Sequence, residues 1–341
     1  MPTTSPTDPL TDADLPGVLA AHGIDGLVDV HTHFMPENVL AKVWAFFDGV
    51  GAATGLPWPI TYRFDADTRL ATLRALGVTR FAPLAYPHRP GMAAWLNHWL
   101  ADFTARTPDA VPTATFFAEP EAAGYVRRAV DDGVRCVKVH VQVGGFDPRD
   151  DVLDAVWGLL AEAGTPVVVH CGDGPRRGAF TGLAVFEEVL RRHPMLVAVI
   201  AHAGLPDYAG TLDLVRRFPR IHLDTTMVGT AYTDRFAPLP PDWPARLADV
   251  ADRVALGSDF PNIPYPYAEQ VAAVLRWADA DPGLGRSFVR AVLHDTGARL
   301  LGGPAADRLR PSRPSPPSRP SGPVEADRAD SLRTRHQEPS E

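Results

Sequence analysis

The sequence predicts an α/β fold, a (β/α)8 barrel of the TIM type, on three observations. Eight short runs rich in Val, Ile, Leu and Ala alternate with longer stretches of helical spacing. Their starts lie 51, 33, 23, 32, 30, 24 and 33 residues apart, the length of a βα unit with one insertion after the first strand. Polar residues recur at the ends of these runs across the whole set, as one barrel mouth requires. A doubly wound open sheet is the alternative, but no Gly-x-Gly-x-x-Gly follows the first strand.

Taken in order, residues 1–23 read as a flexible leader with room for one helical turn. The strands are expected at Leu27–His33, Val78–Ala85, Val111–Phe117, Val134–Val141, Pro166–His170, Leu196–His202, Arg220–Thr225 and Arg253–Asp259. Helical spacing marks Asp67–Leu76, Glu121–Asp132, Asp151–Ala163 with Gly164 as its C-cap, Phe180–His193 and Tyr208–Phe218. The insertion Phe34–Phe64 carries Trp44, Phe46, Phe47 and Trp58, and reads either as a lid or oligomer contact or as ordinary packing. The barrel domain is drawn over 24–303. Residues 304–341 are rich in Pro, Ser, Arg and acids, with too little apolar surface to offset ordering entropy, so a disordered tail is expected.

Composition narrows the function classes. The chain has 341 residues, a formal charge of −8 and two cysteines, Cys136 and Cys171, too few for a disulfide framework or a cysteine-based zinc module. The charge gives no general reason to approach nucleic acid or anionic lipid, and there is no apolar run long enough to span a bilayer. The first residues lack the basic start and apolar stretch of a secretory signal. The expectation is a cytoplasmic protein acting on a small molecule, without nucleic acid or membrane partners, with a homodimer left open. Of 33 basic residues only Lys42 and Lys138 are lysines.

The chemistry-bearing residues sit at strand ends. In the first strand a period of two puts Asp29, His31 and His33 on one face and Val28 and Val30 on the other. If the valines meet the helices, two imidazoles converge toward one divalent ion and Asp29 can orient a ring. His170 and His202 each close an apolar strand, and Asp259 closes the eighth. Pro261, Pro264 and Pro266 postpone the next helix, so a capping role for Asp259 is weak and a ligand role is favoured. In the fourth strand Cys136, Lys138 and His140 share a face. An amine in a chain that almost never uses lysine suggests loss of a proton, a carbamate ligand or an anion contact, against the plain alternative of an ion pair at the barrel floor. His88 and Arg89 after the second strand, and Arg176 and Arg177 after the fifth, are candidate substrate contacts. His22, His98, His193, His294 and His336 take the bland reading, as does His222, and the two cysteines are read as packing residues or as neighbours that support the ligands.

An Asp-x-His-x-His strand, Lys138 with His140, Val-Val-His170, Ala-His202-Ala-Gly and Gly-Ser-Asp259-Phe-Pro, in that order, resemble the amidohydrolase superfamily. More narrowly they resemble its amidohydrolase-related branch, which contains aminocarboxymuconate-semialdehyde decarboxylase and lactone hydrolases. The likeness runs from about Gly26 to Gly303, with Thr296 where asparagine is expected in the closing helix. It implies a barrel of the metal-dependent hydrolase type, with His31, His33, His170 and Asp259 on one divalent metal, most simply Zn²⁺, and His202 as the acid/base; by the chemistry of the set, His202 or Asp259 takes the proton of a metal-activated water. In members with two metals a carbamylated lysine bridges them, a role open to Lys138 with His140 beside it. The function expected is a metal-dependent hydrolase acting on a small anionic lactone, amide or ester, with a non-oxidative carboxy-lyase as the alternative. A catalytically idle metal- or ligand-binding barrel is a third possibility.

Overall fold

The eight expected strands form in sequence order as β1 (Leu27–Thr32), β2 (Val78–Pro83), β3 (Thr113–Thr115), β4 (Cys136–His140), β5 (Val167–His170), β6 (Ala198–Ile200), β7 (Ile221–Asp224) and β8 (Val254–Ala255). The structure is a computed structural model and describes residues 9–174 and 176–302. The tail from 304 and the first eight residues of the leader lie outside the described residues. All adjacent pairs are parallel, β1 with β2 and β3 through β8 in a six-stranded sheet. Backbone bonds bridge the two remaining seams. At one, the Val111 N–H donates to the Phe81 carbonyl at 2.9 Å and Phe81 N–H to the Asp109 carbonyl at 3.0 Å. At the other, Val30 N–H reaches the Leu256 carbonyl at 2.9 Å and His33 N–H the Phe260 carbonyl at 2.6 Å.

Alternation sorts the strand residues into two layers. Val137, Val139, Val167, Val169, Ala198, Ile200, Ile221 and Leu223 belong to the core shared with the surrounding helices. A separate cluster of Val28, Val30, Ala82, Cys136, Val168, Val199 and Ala255, drawn from six strands, packs among itself as only an interior can. The helices expected from spacing are present, including Asp154–Ala163, which ends on Gly164 at φ 65°, the left-handed cap that a residue with a Cβ resists.

Two expectations change. The leader is not loose throughout: helix α1 (Leu15–His22) buries Leu15 completely and Leu19 nearly so. Its low amphipathic contrast hid a helix held by tertiary packing. Asp12 ties the same segment down, accepting from the Ala268 N–H at 2.9 Å and from the Tyr62 hydroxyl. In β1, Val28 and Val30 face the interior instead of the helices. A register irregularity between Asp29 and Thr32 breaks the period of two and turns the following histidines inward. The insertion is built around helix α2 (Glu37–Thr54), which leans on the mouth, with Trp44 Nε1 donating to Asn262 Oδ1 at 2.9 Å and Trp58 Nε1 to the Asn262 carbonyl at 2.7 Å. Phe47 stacks on Trp58 with centroids 4.9 Å apart.

Candidate metal centre

At the C-terminal ends of the strands, His31, His33 and Asp259 offer ligand atoms that all lie within 4.8 Å of one another, and all three residues are buried. The hydrogen bonds behind the two rings set their orientation. His31 Nδ1 is 2.9 Å from Asp224 Oδ2 and His33 Nδ1 is 2.9 Å from the Leu84 carbonyl, an arrangement that makes each Nδ1 the donor. The Nε2 atoms are turned toward Asp259, at 3.6 and 2.7 Å from its Oδ1, and that of His31 also meets Lys138 Nζ at 2.9 Å. A ring nitrogen held from behind by a carboxylate or carbonyl, with the other presented outward, is the outer-shell pattern of metal-binding histidine.

Asp29 plays a different part from the one expected. It bonds Ser258 Oγ at 2.6 Å, Tyr267 OH at 2.8 Å and the His31 backbone N–H at 3.0 Å, so it holds the strand instead of a ring. Burial pushes its carboxyl up to about 7. The ring of His31 is oriented by Asp224, which spacing alone did not single out. Its signal was available, since Asp224 ends β7 as Asp259 follows β8.

His202 and Asp259 adopt left-handed backbone conformations, φ 55° and 68°, uncommon for residues with a side chain. Bonds from the neighbouring strands hold them: the His202 N–H donates to Asp224 Oδ1 at 2.8 Å, and the Asp259 N–H to the His31 carbonyl at 2.8 Å. The His202 ring centroid lies 5.2 Å from that of His31. Burial pulls its imidazole down to about 4, leaving it neutral at pH 7. Burial would raise the Asp259 carboxyl, but the His33, His202 and His31 imidazoles around it outweigh that and hold it well below the usual range.

The remaining expected residues divide. His170 is in the same pocket, 4.7 Å from His202 between ring centroids, yet its Nε2 meets the Gly174 carbonyl at 3.0 Å and it is outside the three-residue group. His140 stacks on it at 3.9 Å. Lys138 is fully buried, with Nζ 2.9 Å from His31 Nε2, and burial lowers its ammonium to about 8. His88, Arg89 and Arg176 line the cavity above the histidines; Arg177 does not, and stands exposed 3.8 Å from Asp173. Cys136 and Cys171 are buried and free.

The cavity has a volume of about 680 Å³. Its floor is the cluster just described, and its walls are mainly apolar, including Val39, Val43 and Phe46 from α2 with Tyr86, Met92 and Leu205 from the barrel loops. Such a site can hold a cation at its floor, orient an organic substrate by exclusion of water, and receive a proton on His202.

A family model described as amidohydrolase matches residues 28–303. No significant match among curated proteins was found. Among solved structures, an uncharacterized TIM-barrel protein from Bordetella bronchiseptica aligns with a TM-score of 0.64 at 18% identity, over 81% of this chain and 98% of that one. The 5-carboxyvanillate decarboxylase of Sphingomonas paucimobilis aligns at 0.54 and 16% identity, over 81% and 99%. The 5-carboxyvanillate decarboxylase of Novosphingobium aromaticivorans, solved with manganese and 4-hydroxy-3-methoxy-5-nitrobenzoic acid, aligns at 0.52 and 15% identity, over 82% and 97%.

Proposed function

The chain belongs to the amidohydrolase family, and from that premise we propose that it is a metal-dependent hydrolase that opens a lactone, amide or ester bond in an organic anion. The observation that carries the reading is the convergence of His31, His33 and Asp259 at the floor of the cavity, beside the neutral imidazole of His202. In this reading His31, His33 and Asp259 hold one divalent ion, and His170 would complete the set by exchanging its contact with the Gly174 carbonyl for the ion. Imidazoles with one carboxylate suit Zn²⁺. Bound there, the ion supplies Lewis acidity that polarises a carbonyl and brings the acidity of water near neutral pH.

The protein groups supply the rest. His202 accepts the proton of the attacking water, and Asp259 is the second acceptor within the same cluster. His202 then returns the proton to the departing oxygen or nitrogen. Asp224 fixes both His31 and the backbone of His202, so ligand and base keep their spacing. Lys138 and His140 face the substrate from β4. A carbamate on Lys138 with a second ion is the two-metal form of the same proposal. Arg89 and Arg176, with His88, meet the substrate anion at the mouth.

A second reading, a non-oxidative carboxy-lyase, draws on the apolar walls above a buried ammonium, a setting that strips water from a carboxylate. Turnover in ¹⁸O-water with trapping of CO₂ separates the two. Metal-dependent incorporation of ¹⁸O into a carboxyl product without CO₂ supports hydrolysis; CO₂ without incorporation transfers the assignment to the carboxy-lyase. Wild-type protein that retains no ion and performs neither reaction on a broad panel overturns both. For His202→Asn the expected result is a fall in kcat of about 10²–10⁴ with metal content retained.

A further inference from the structure

The cavity is larger, more apolar at its rim and more positive than a small substrate explains. At about 680 Å³ it lies in the range that encloses a drug-sized ligand. Four of the six strongly exposed large apolar side chains among the described residues, Phe46, Trp95, Val143 and Phe236, line this same cavity. Apolar side chains gathered in one place mark a binding surface, whereas the same residues scattered singly would need no explanation. Charge follows the same pattern. Lys42, Arg89 and Arg176 line the cavity, and among the described residues of the lining Asp259 at the floor is the one carboxylate. Among the described residues none of the three cations has an ion-pair or hydrogen-bond partner, while Arg63, Arg74, Arg149, Arg216 and Arg246 on the surface are each paired with an acid.

Helix α2 joins the two features. Val39, Lys42, Val43 and Phe46 recur at intervals of three and four and so share one helix face, which is the face turned to the cavity. A single insertion therefore presents hydrocarbon, an aromatic ring and an unpaired ammonium to whatever enters. The other lysine of the chain, Lys138, lies in the same lining at the floor.

We propose that the substrate is a bulky organic anion, with a hydrophobic body larger than a single ring held by the α2 face and the apolar rim, and a carboxylate read by Lys42, Arg89 and Arg176. The inference rests on the reading of the floor as the place of reaction. It adds that specificity is set by the rim: the anion stays at the mouth, and the bond to be broken lies at the opposite end of the molecule, at the histidines.

Calorimetry on the metal-loaded full chain tests this with acetate, benzoate, biphenyl-4-carboxylate and pyrene-1-carboxylate, and with biphenyl-4-methanol as the uncharged match. Affinity is expected to tighten at least tenfold from benzoate to biphenyl-4-carboxylate and to fall at least tenfold from that acid to its alcohol. Phe46→Ala is expected to weaken the biphenyl acid more than benzoate. Lys42→Gln with Arg89→Gln is expected to weaken both acids and leave the alcohol unchanged. Equal affinity for benzoate and the larger acids overturns the size claim, and equal affinity for acid and alcohol overturns the charge claim. Phe46→Ser converting a dimer to a monomer without altering any affinity assigns the rim to a second copy of the chain and also overturns it. Binding is read apart from turnover, so selective binding without any metal-dependent reaction counts against the hydrolase reading alone.

Discussion

Asp224 serves three neighbours at once, its Oδ2 facing His31 Nδ1 at 2.9 Å and its Oδ1 accepting from the His202 N–H at 2.8 Å and the Thr226 N–H at 3.1 Å. Thr226 Oγ1 adds a contact to the same His31 nitrogen at 3.2 Å. A carboxylate fully out of water and surrounded by donors fixes one tautomer of His31 and helps keep His202 in its left-handed conformation. Asp224→Asn is therefore expected to weaken divalent-ion retention by about 10–100-fold, read by competition with a chelator of known affinity. Retention equal to wild type would remove Asp224 from the support of the site. Residue types at strand ends pointed to His31, His33, His170, His202 and Asp259 without any structure. They did not separate the carboxylate that holds a ring from the one that holds a strand, because Asp29 and Asp224 look alike until their partners are known.

At the scale of elements, the segment that follows β8 contributes most of its effect by what it lacks. A Cβ on Gly257 would stand 2.4 Å from Thr226 Oγ1, 3.0 Å from His31 Cβ and 3.1 Å from Asp224 Cβ. Gly257→Ala must push apart His31 and the two residues, Asp224 and Thr226, that stand behind its ring. Destabilisation of about 1–3 kcal/mol is expected, together with reduced ion content, by thermal unfolding and elemental analysis; full ion content at wild-type stability would contradict the close approach. At the other end of the chain, α1 is structural. Leu15 is fully buried, so Leu15→Ala is expected to cost about 2–5 kcal/mol in denaturant unfolding, whereas a free leader would show no change. Strands were legible because burial between two layers writes continuous apolar runs with polar ends. The ordered part of the leader and α2 were less legible: they are matched to partners more than two hundred residues away, Ala268 for Asp12 just before α1 and Asn262 for Trp44 in α2.

For the molecule as a whole, burying imidazoles, four of them in the cavity floor and His222 outside it, sets the response to acid. Burial lowers His31, His140 and His170 well below their ordinary value, and lowers His202 and His222 to about 4. The unfolded chain binds protons at these residues near pH 6.5 while the folded chain does not until much lower. The stability they contribute is thus complete above about pH 6.5 and lost as the pH falls toward 4. Asp29, raised to about 7, and Asp224, also raised by burial, act in the opposite sense, with contributions lost as the pH rises, but they are two groups against five. The metal-free protein is expected to lose Tm steadily from pH 7 to 5 in calorimetry, and a flat profile would mean that the rings are solvated. What the sequence determined by itself was the eight-unit barrel, its mouth and the residue types gathered there, since hydrophobic period and strand-end polarity are local properties of a chain. Tertiary structure decided which imidazole nitrogen faces the centre, which carboxylate stands behind it, that a register break in β1 turns the histidines inward, and that α2 walls a wide cationic cavity. These depend on contacts between segments far apart in the chain, where direction and distance are fixed only after the ring of strands has formed.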